Sequence, residues 1–219
     1  MIKFGFVFLL ALAVSALVGL TRHRTDDCPM DGSGPAHNMR LTALVGIVLY
    51  VLLIAIAVTV VDVRKLLAAH YLVGFVLIPP LLLKFGSTGY RLLRYYSGST
   101  LYRLAGAPSP VLRFVVAPIL VASTTGVFVS GVELWLFGLR FGSVWILAHT
   151  LSAVIMMLAV TAHLVAHMGR SAAVLADEPR TRSGALRRES LIATSLAVGG
   201  ILAVASLLYA SPFSLSIRG

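Results

Sequence analysis

The stretch Val144–His167, VWILAHTLSAVIMMLAVTAHLVAH, contains no Asp, Glu, Lys or Arg and breaks its apolar run only with small polar residues and three histidines. A helix crossing the hydrocarbon core needs roughly 20 mainly apolar residues, so residues 143–168 predict a membrane span. Five further segments share this character, at 2–20, 41–61, 66–84, 111–137 and 190–210. In lipid every backbone polar group must be satisfied within the chain. None of these runs alternates apolar and polar residues as a membrane-barrel strand does, so the runs are helices. The predicted fold is an all-α, polytopic transmembrane helical bundle of six spans. Composition agrees, with 58% hydrophobic and 12% charged residues, values foreign to a soluble domain. No segment is long or polar enough for a separate soluble domain.

Net charge is +10. In a soluble protein that excess would suggest nucleic acid. Here the basic residues lie between the apolar runs, where they set topology and meet anionic membrane lipid, so no nucleic-acid partner is expected. With the N-terminus on side X, Lys3, Arg64, Lys65, Arg140 and Arg218 fall on X, and the rest of the 18 Lys and Arg fall on side Y. The positive-inside rule then places Y in the cytoplasm. Met1–Leu20, with Lys3 ahead of an apolar run, also suits a signal anchor of the opposite sense. The charge count is preferred, and Val14-Ser15-Ala16 is a weak site for signal cleavage. Cys28 is the only cysteine, which excludes an intrachain disulfide and a thiolate cluster. Its setting, Asp26-Asp27-Cys28-Pro29-Met30-Asp31-Gly32, reads as a polar turn.

Asp62-Val63-Arg64-Lys65 alone separates the second and third spans, which predicts an antiparallel hairpin. Pro79-Pro80 sits inside the third span, where neighbouring helices re-satisfy the freed carbonyls. Beyond that span, Gly86-Ser87-Thr88-Gly89-Tyr90-Arg91-Leu92-Leu93-Arg94-Tyr95-Tyr96 mixes Tyr and Arg as the headgroup layer requires. Residues 169–189 form a charged stretch expected to lie free in the cytoplasm. In the fourth span, Ser123-Thr124-Thr125-Gly126 and Ser130-Gly131 predict close helix packing, though a flat porphyrin would ask for the same smooth face.

Six histidines are present, and His70, His149, His163 and His167 fall within spans or at their ends. Ionisable residues inside a membrane are costly and mark functional sites. His149 and His163 lie about 40° apart around the helix and about 21 Å apart along it, so one face addresses two depths. His167, one turn further, shares that face, where it either replaces His163 or hydrogen-bonds a propionate. Neutral imidazoles from facing helices hold a b-type haem in a bundle core. The third and fifth spans both start on side X, so His70 and His149 lie at equal depth and form the natural ligand pair. Gly74, one turn after His70, leaves room for a porphyrin edge. Fourteen residues beyond His70 comes Lys84, at the depth of His163; it suits a haem propionate, with Arg91 or Arg94 assisting. His37, just before the second span, is the other candidate ligand on side Y. One haem is thus better supported than two. Glu133 either exchanges protons at a quinol site or pairs with Arg140.

His70-Tyr71-Leu72-Val73-Gly74-Phe75, Ile78-Pro79-Pro80, Leu83-Lys84, Ser87-Thr88-Gly89-Tyr90-Arg91 and Arg94-Tyr95-Tyr96, with Ala148-His149 and His163, resemble the membrane b-type cytochromes of bacterial respiratory enzymes. Those cytochromes serve hydrogenases, formate dehydrogenases and molybdopterin oxidoreductases, and an actinobacterial branch is the most similar. The resemblance covers roughly 40–168. It implies a four-helix core, haem b, a bacterial cytoplasmic membrane, and electron exchange between quinone and a partner oxidoreductase subunit. His70, His149 and His163 match positions of its metal ligands. No histidine lies inside the second span, where some of these proteins place one, and this departure bears on a second haem. The implied division is a span and polar loop over 1–39, a haem-binding core over 40–168, and a loop with a final span over 169–219. Two other classes stay open on sequence: a proton-coupled transporter using the histidines, Lys84 and Glu133, and a haem-free scaffold subunit.

Overall fold

The computed structural model describes residues 2–21, 34–106, 110–176 and 182–214. Cys28 and its turn, His23, and the side chains of Lys3 and Arg218 lie outside the described residues. Six long helices are present: α1 (Ile2–Thr21), α2 (Gly34–Val61), α3 (Leu67–Tyr96), α5 (Ala117–Phe137), α6 (Val144–Ala176) and α7 (Arg182–Leu207). A short α4 (Thr100–Leu104) follows α3, and one π-helical turn, Leu112–Val116, leads into α5. No strand occurs among the described residues, and all six long helices are long and apolar enough to cross a membrane. The chain is a polytopic helical bundle.

Several helices outrun the apolar segments that announced them. α3 continues past Lys84 to Tyr96, so Gly86–Tyr96 is helix rather than connection. Its 30 residues measure about 45 Å, well beyond a hydrocarbon core of about 30 Å. α2 begins at Gly34 with Pro35 in its first turn, a position where the missing N–H costs nothing. His37 therefore sits on the helix. α6 runs to Ala176 and α7 starts at Arg182, so much of 169–189, expected to be free, is helical. A charged residue ends an apolar run without ending the hydrogen-bonded ladder, and no proline follows Lys84 until Pro108. Pro79 and Pro80 lie inside α3, and the helix continues through them.

Interhelical contacts fix the arrangement. Asn38 Nδ2 donates to the Ser87 carbonyl at 2.9 Å, Lys84 Nζ to the Thr42 carbonyl at 2.5 Å, and Thr59 Oγ1 lies 2.8 Å from His70 Nδ1. Residue numbers rise on α2 as they fall on α3, as expected for an antiparallel hairpin; its turn carries a Lys65–Asp62 ion pair at 3.2 Å. α5 and α6 form a second antiparallel pair. The small residues of α5 act as the packing reading requires: a Cβ on Gly126 would lie 2.6 Å from Ser152 Oγ, and one on Gly131 would lie 3.1 Å from His149 Cε1. Gly138 ends α5 at φ 61°, its N–H bonded to the Leu134 carbonyl at 2.9 Å. A side chain there would be strained and would also meet Pro212 and Phe213.

α1 belongs to the core. Phe8 and Leu12 are buried with Ala57 of α2 and Met156, Met157 and Val160 of α6. The approach is backbone-close, because a Cβ on Gly19 would lie 2.6 Å from the Leu164 carbonyl oxygen and 2.8 Å from Met168 Cβ. Gly19→Leu is therefore expected to lower stability by about 1–3 kcal/mol, read as a drop in Tm in detergent. Gly200→Leu, where a Cβ meets nothing within 4 Å, should leave Tm nearly unchanged. α7 lies against the outside of α3, with Gly199 over the Val76 carbonyl.

Candidate functional site

The four helices α2, α3, α5 and α6 line one elongated, partly open cavity, to which α1 and α7 contribute no lining. On α6 the lining extends from His149 to Ser171, about 33 Å of helix. Its walls are mostly Leu, Ile, Val, Met and Phe, and the exceptions are concentrated. His70 and His149 stand toward one end; Lys84, His163 and His167 stand toward the other. The face predicted from the spacing of His149, His163 and His167 is thus the face turned to the cavity.

Across the cavity, the His70 and His149 rings face one another with centres 6.3 Å apart and planes crossed at 77°. Each ring is held from behind at Nδ1. With the Thr59 hydroxyl proton directed to the Ile56 carbonyl, 2.6 Å away, Oγ1 is free to accept from His70 Nδ1, 2.8 Å away, in the tautomer that carries the ring proton on Nδ1. His149 Nδ1 lies 3.0 Å from the Val127 carbonyl oxygen and 3.1 Å from Ser130 Oγ. A carbonyl only accepts, and Ser130 gives its proton to the Gly126 carbonyl at 2.5 Å, so His149 is also protonated on Nδ1. In both neutral rings Nε2 keeps its lone pair. Fixing one nitrogen to free the other is how proteins orient histidine ligands.

The spacing suits one shared metal. Two imidazoles on opposite faces of one metal, each bond about 2 Å long, place ring centres about 6 Å apart. Among the described residues no group of three or more His, Cys, Asp or Glu is arranged to hold a bare ion. A porphyrin brings four nitrogens of its own and asks the protein for axial ligands only. Gly74 lines the cavity, and a Cβ there would meet nothing within 4 Å, so the wall beside His70 is open. The residues present fit a haem at this end.

The other end is built differently. His163 and His167 lie side by side on α6, ring centres 4.5 Å apart, and no histidine of another helix lines the cavity opposite them. Lys84 Nζ is tied to the Thr42 carbonyl of α2. His37, Arg91 and Arg94 do not line the cavity. Arg91 nonetheless lies near Lys84 and His167 at this end, whereas the Arg94 guanidinium lies 5.8 Å from the Tyr102 ring centre. Glu133 is absent from the lining, and its buried oxygens have no hydrogen-bond partner among the described residues. Arg140 lies over Phe141, and of the two alternatives for Glu133 the pair with Arg140 does not form among the described residues.

No family model, curated protein or solved structure matches this chain. Sequence reasoning missed Thr59, Ser130 and Val127, the groups behind the two rings. Thr59 had a usable signal, since the tight turn after α2 folds it back to the depth of His70. Ser130 passed for a packing residue, which it also is, being 1% exposed. A carbonyl such as that of Val127 carries no sequence signal.

Proposed function

We propose that this chain is an integral-membrane haem b protein of the bacterial cytoplasmic membrane that carries single electrons between the quinone pool and a partner oxidoreductase subunit. The observation that carries the reading is the His70–His149 pair, crossed over one cavity with both Nδ1 atoms held and both Nε2 lone pairs free. His70 and His149 would hold the haem iron, and bound haem would supply a one-electron Fe(III)/Fe(II) couple. The chain's own part is to fix both ring tautomers, to surround the macrocycle with an apolar wall, and to exclude water by packing α2, α3, α5 and α6 around it. One haem per chain is the reading preferred here, because His163 and His167 lack a histidine across the cavity. Lys84 is placed to meet an anionic or carbonyl group at that end. A proton relay through Glu133 finds no support in the arrangement, because Glu133 is off the cavity.

Electron paramagnetic resonance of the oxidised protein tests the ligand pair. Crossed imidazole planes predict a low-spin ferric signal of high anisotropy, whereas a high-spin signal would mean that one histidine is not a ligand. His163→Ala is expected to leave both this signal and haem per chain unchanged. Loss of half the haem in that variant would establish a second site and overturn the single-haem reading.

A further inference from the structure

A basic corner lies outside the cavity, where the end of α3, α4 and the π-helical turn meet. Arg113, in that turn, holds its guanidinium carbon 4.4 Å from the Phe114 ring centre, 5.5 Å from Tyr96 and 5.9 Å from Tyr95. Arg94 stacks on Tyr102, and Arg103 Nε donates to the Tyr95 carbonyl at 3.5 Å. Aromatic faces thus orient guanidinium groups that would otherwise wander in solvent. No carboxylate pairs with these three arginines among the described residues, and no acidic residue occurs between Asp62 and Glu133. Arg113 Nε is buried without an acceptor. Among the described residues the Arg113 guanidinium has no carboxylate partner, and only aromatic rings are recorded against it.

π-Helical turns are rare and concentrate at functional sites. This one sets Arg113 at the level of the tyrosines that close α3. Leu93, Leu104 and Phe114, next in sequence to Arg94, Arg103 and Arg113, are 71%, 76% and 61% exposed. A free inorganic anion has no use for that apolar surface. A phospholipid uses both parts, placing its phosphate among the guanidinium groups and its acyl chains along the apolar side chains.

We propose that this corner binds the headgroup phosphate of an anionic phospholipid, with Arg113 as the central ligand and Arg94 and Arg103 flanking it. The site is separate from the histidine cavity and does not depend on bound haem. It is tested by reconstituting the full chain in vesicles of equal parts phosphatidylglycerol and phosphatidylcholine, re-extracting it in detergent, and weighing retained lipid by native mass spectrometry. Phosphatidylglycerol should be retained over phosphatidylcholine, and excess inorganic phosphate should not displace it. R94Q/R103Q/R113Q should lose the preference, by about five-fold for each arginine removed, while R64Q/K65Q at the opposite end of α3 should keep it. Equal retention of both lipids by the wild-type chain, displacement by inorganic phosphate, or an unchanged preference in the triple variant would overturn the proposal. Should the triple variant fail to fold, the wild-type lipid comparison and the phosphate displacement still decide.

Discussion

His149→Ala should yield a folded, membrane-embedded protein whose haem content falls to about a tenth of wild type or less, because one of two axial ligands is gone. The fold should survive. His149 is bonded through Nδ1 to a carbonyl and a hydroxyl of α5, and the helical ladder gives the Val127 carbonyl a second donor in the N–H four residues on. The variant thus loses a neutral hydrogen bond, worth about 1 kcal/mol, without leaving a buried carbonyl unpaired. Free imidazole added during haem loading should restore a b-type α-band, since it can occupy the vacated space and supply the missing nitrogen. A purely structural histidine would not be rescued in this way. Full haem content in both His149→Ala and His70→Ala would end the ligand assignment.

Thr59→Val should weaken haem retention by about 10–100-fold, the usual effect of removing the group that orients a histidine ligand. Valine matches threonine in shape, so packing between α2 and α3 changes little while the acceptor for His70 Nδ1–H disappears. A second effect has a definite sign. Hydrogen bonding at Nδ1 makes the imidazole a stronger donor and favours ferric iron, so its loss should move the reduction potential upward. Potentiometric titration reads this shift directly. Thr59→Ser, which keeps the hydroxyl, should stay near wild type. Retention and potential both unchanged in Thr59→Val would mean that the Thr59–His70 contact orients nothing.

The bundle was legible because six apolar runs separated by basic connections admit no other fold. Helix ends were not legible. Hydropathy reports where lipid stops, and α3 crosses that boundary at Lys84 with its hydrogen-bond ladder intact, as α2 does at Arg40 and α6 at Arg170. The His70–His149 juxtaposition was legible in the sequence, because two parallel helices entering from one side place residues near their starts at one depth. The cavity-facing set of His149, His163 and His167 followed from helical periodicity. Which side chains stand behind the rings was harder to see. That depends on how far each helix is rotated about its axis, and Gly126, Gly131 and Ser130 set the rotation of α5 against α6 through contacts between helices. Arg91, two turns after Lys84 on the same face of α3, stays near Lys84 and His167 as that periodicity requires. Arg94 instead lies against Tyr102 of α4, an element too short for hydropathy to announce.

The deciding measurement is a dithionite-reduced minus air-oxidised absorption spectrum of the detergent-purified protein, with pyridine haemochrome quantitation, after expression in cells able to supply haem. A sharp b-type α-band at one haem per chain is the expected result. A colourless protein from those cells would contradict the haem reading, and the crossed histidines would then have to be explained as packing or transport residues.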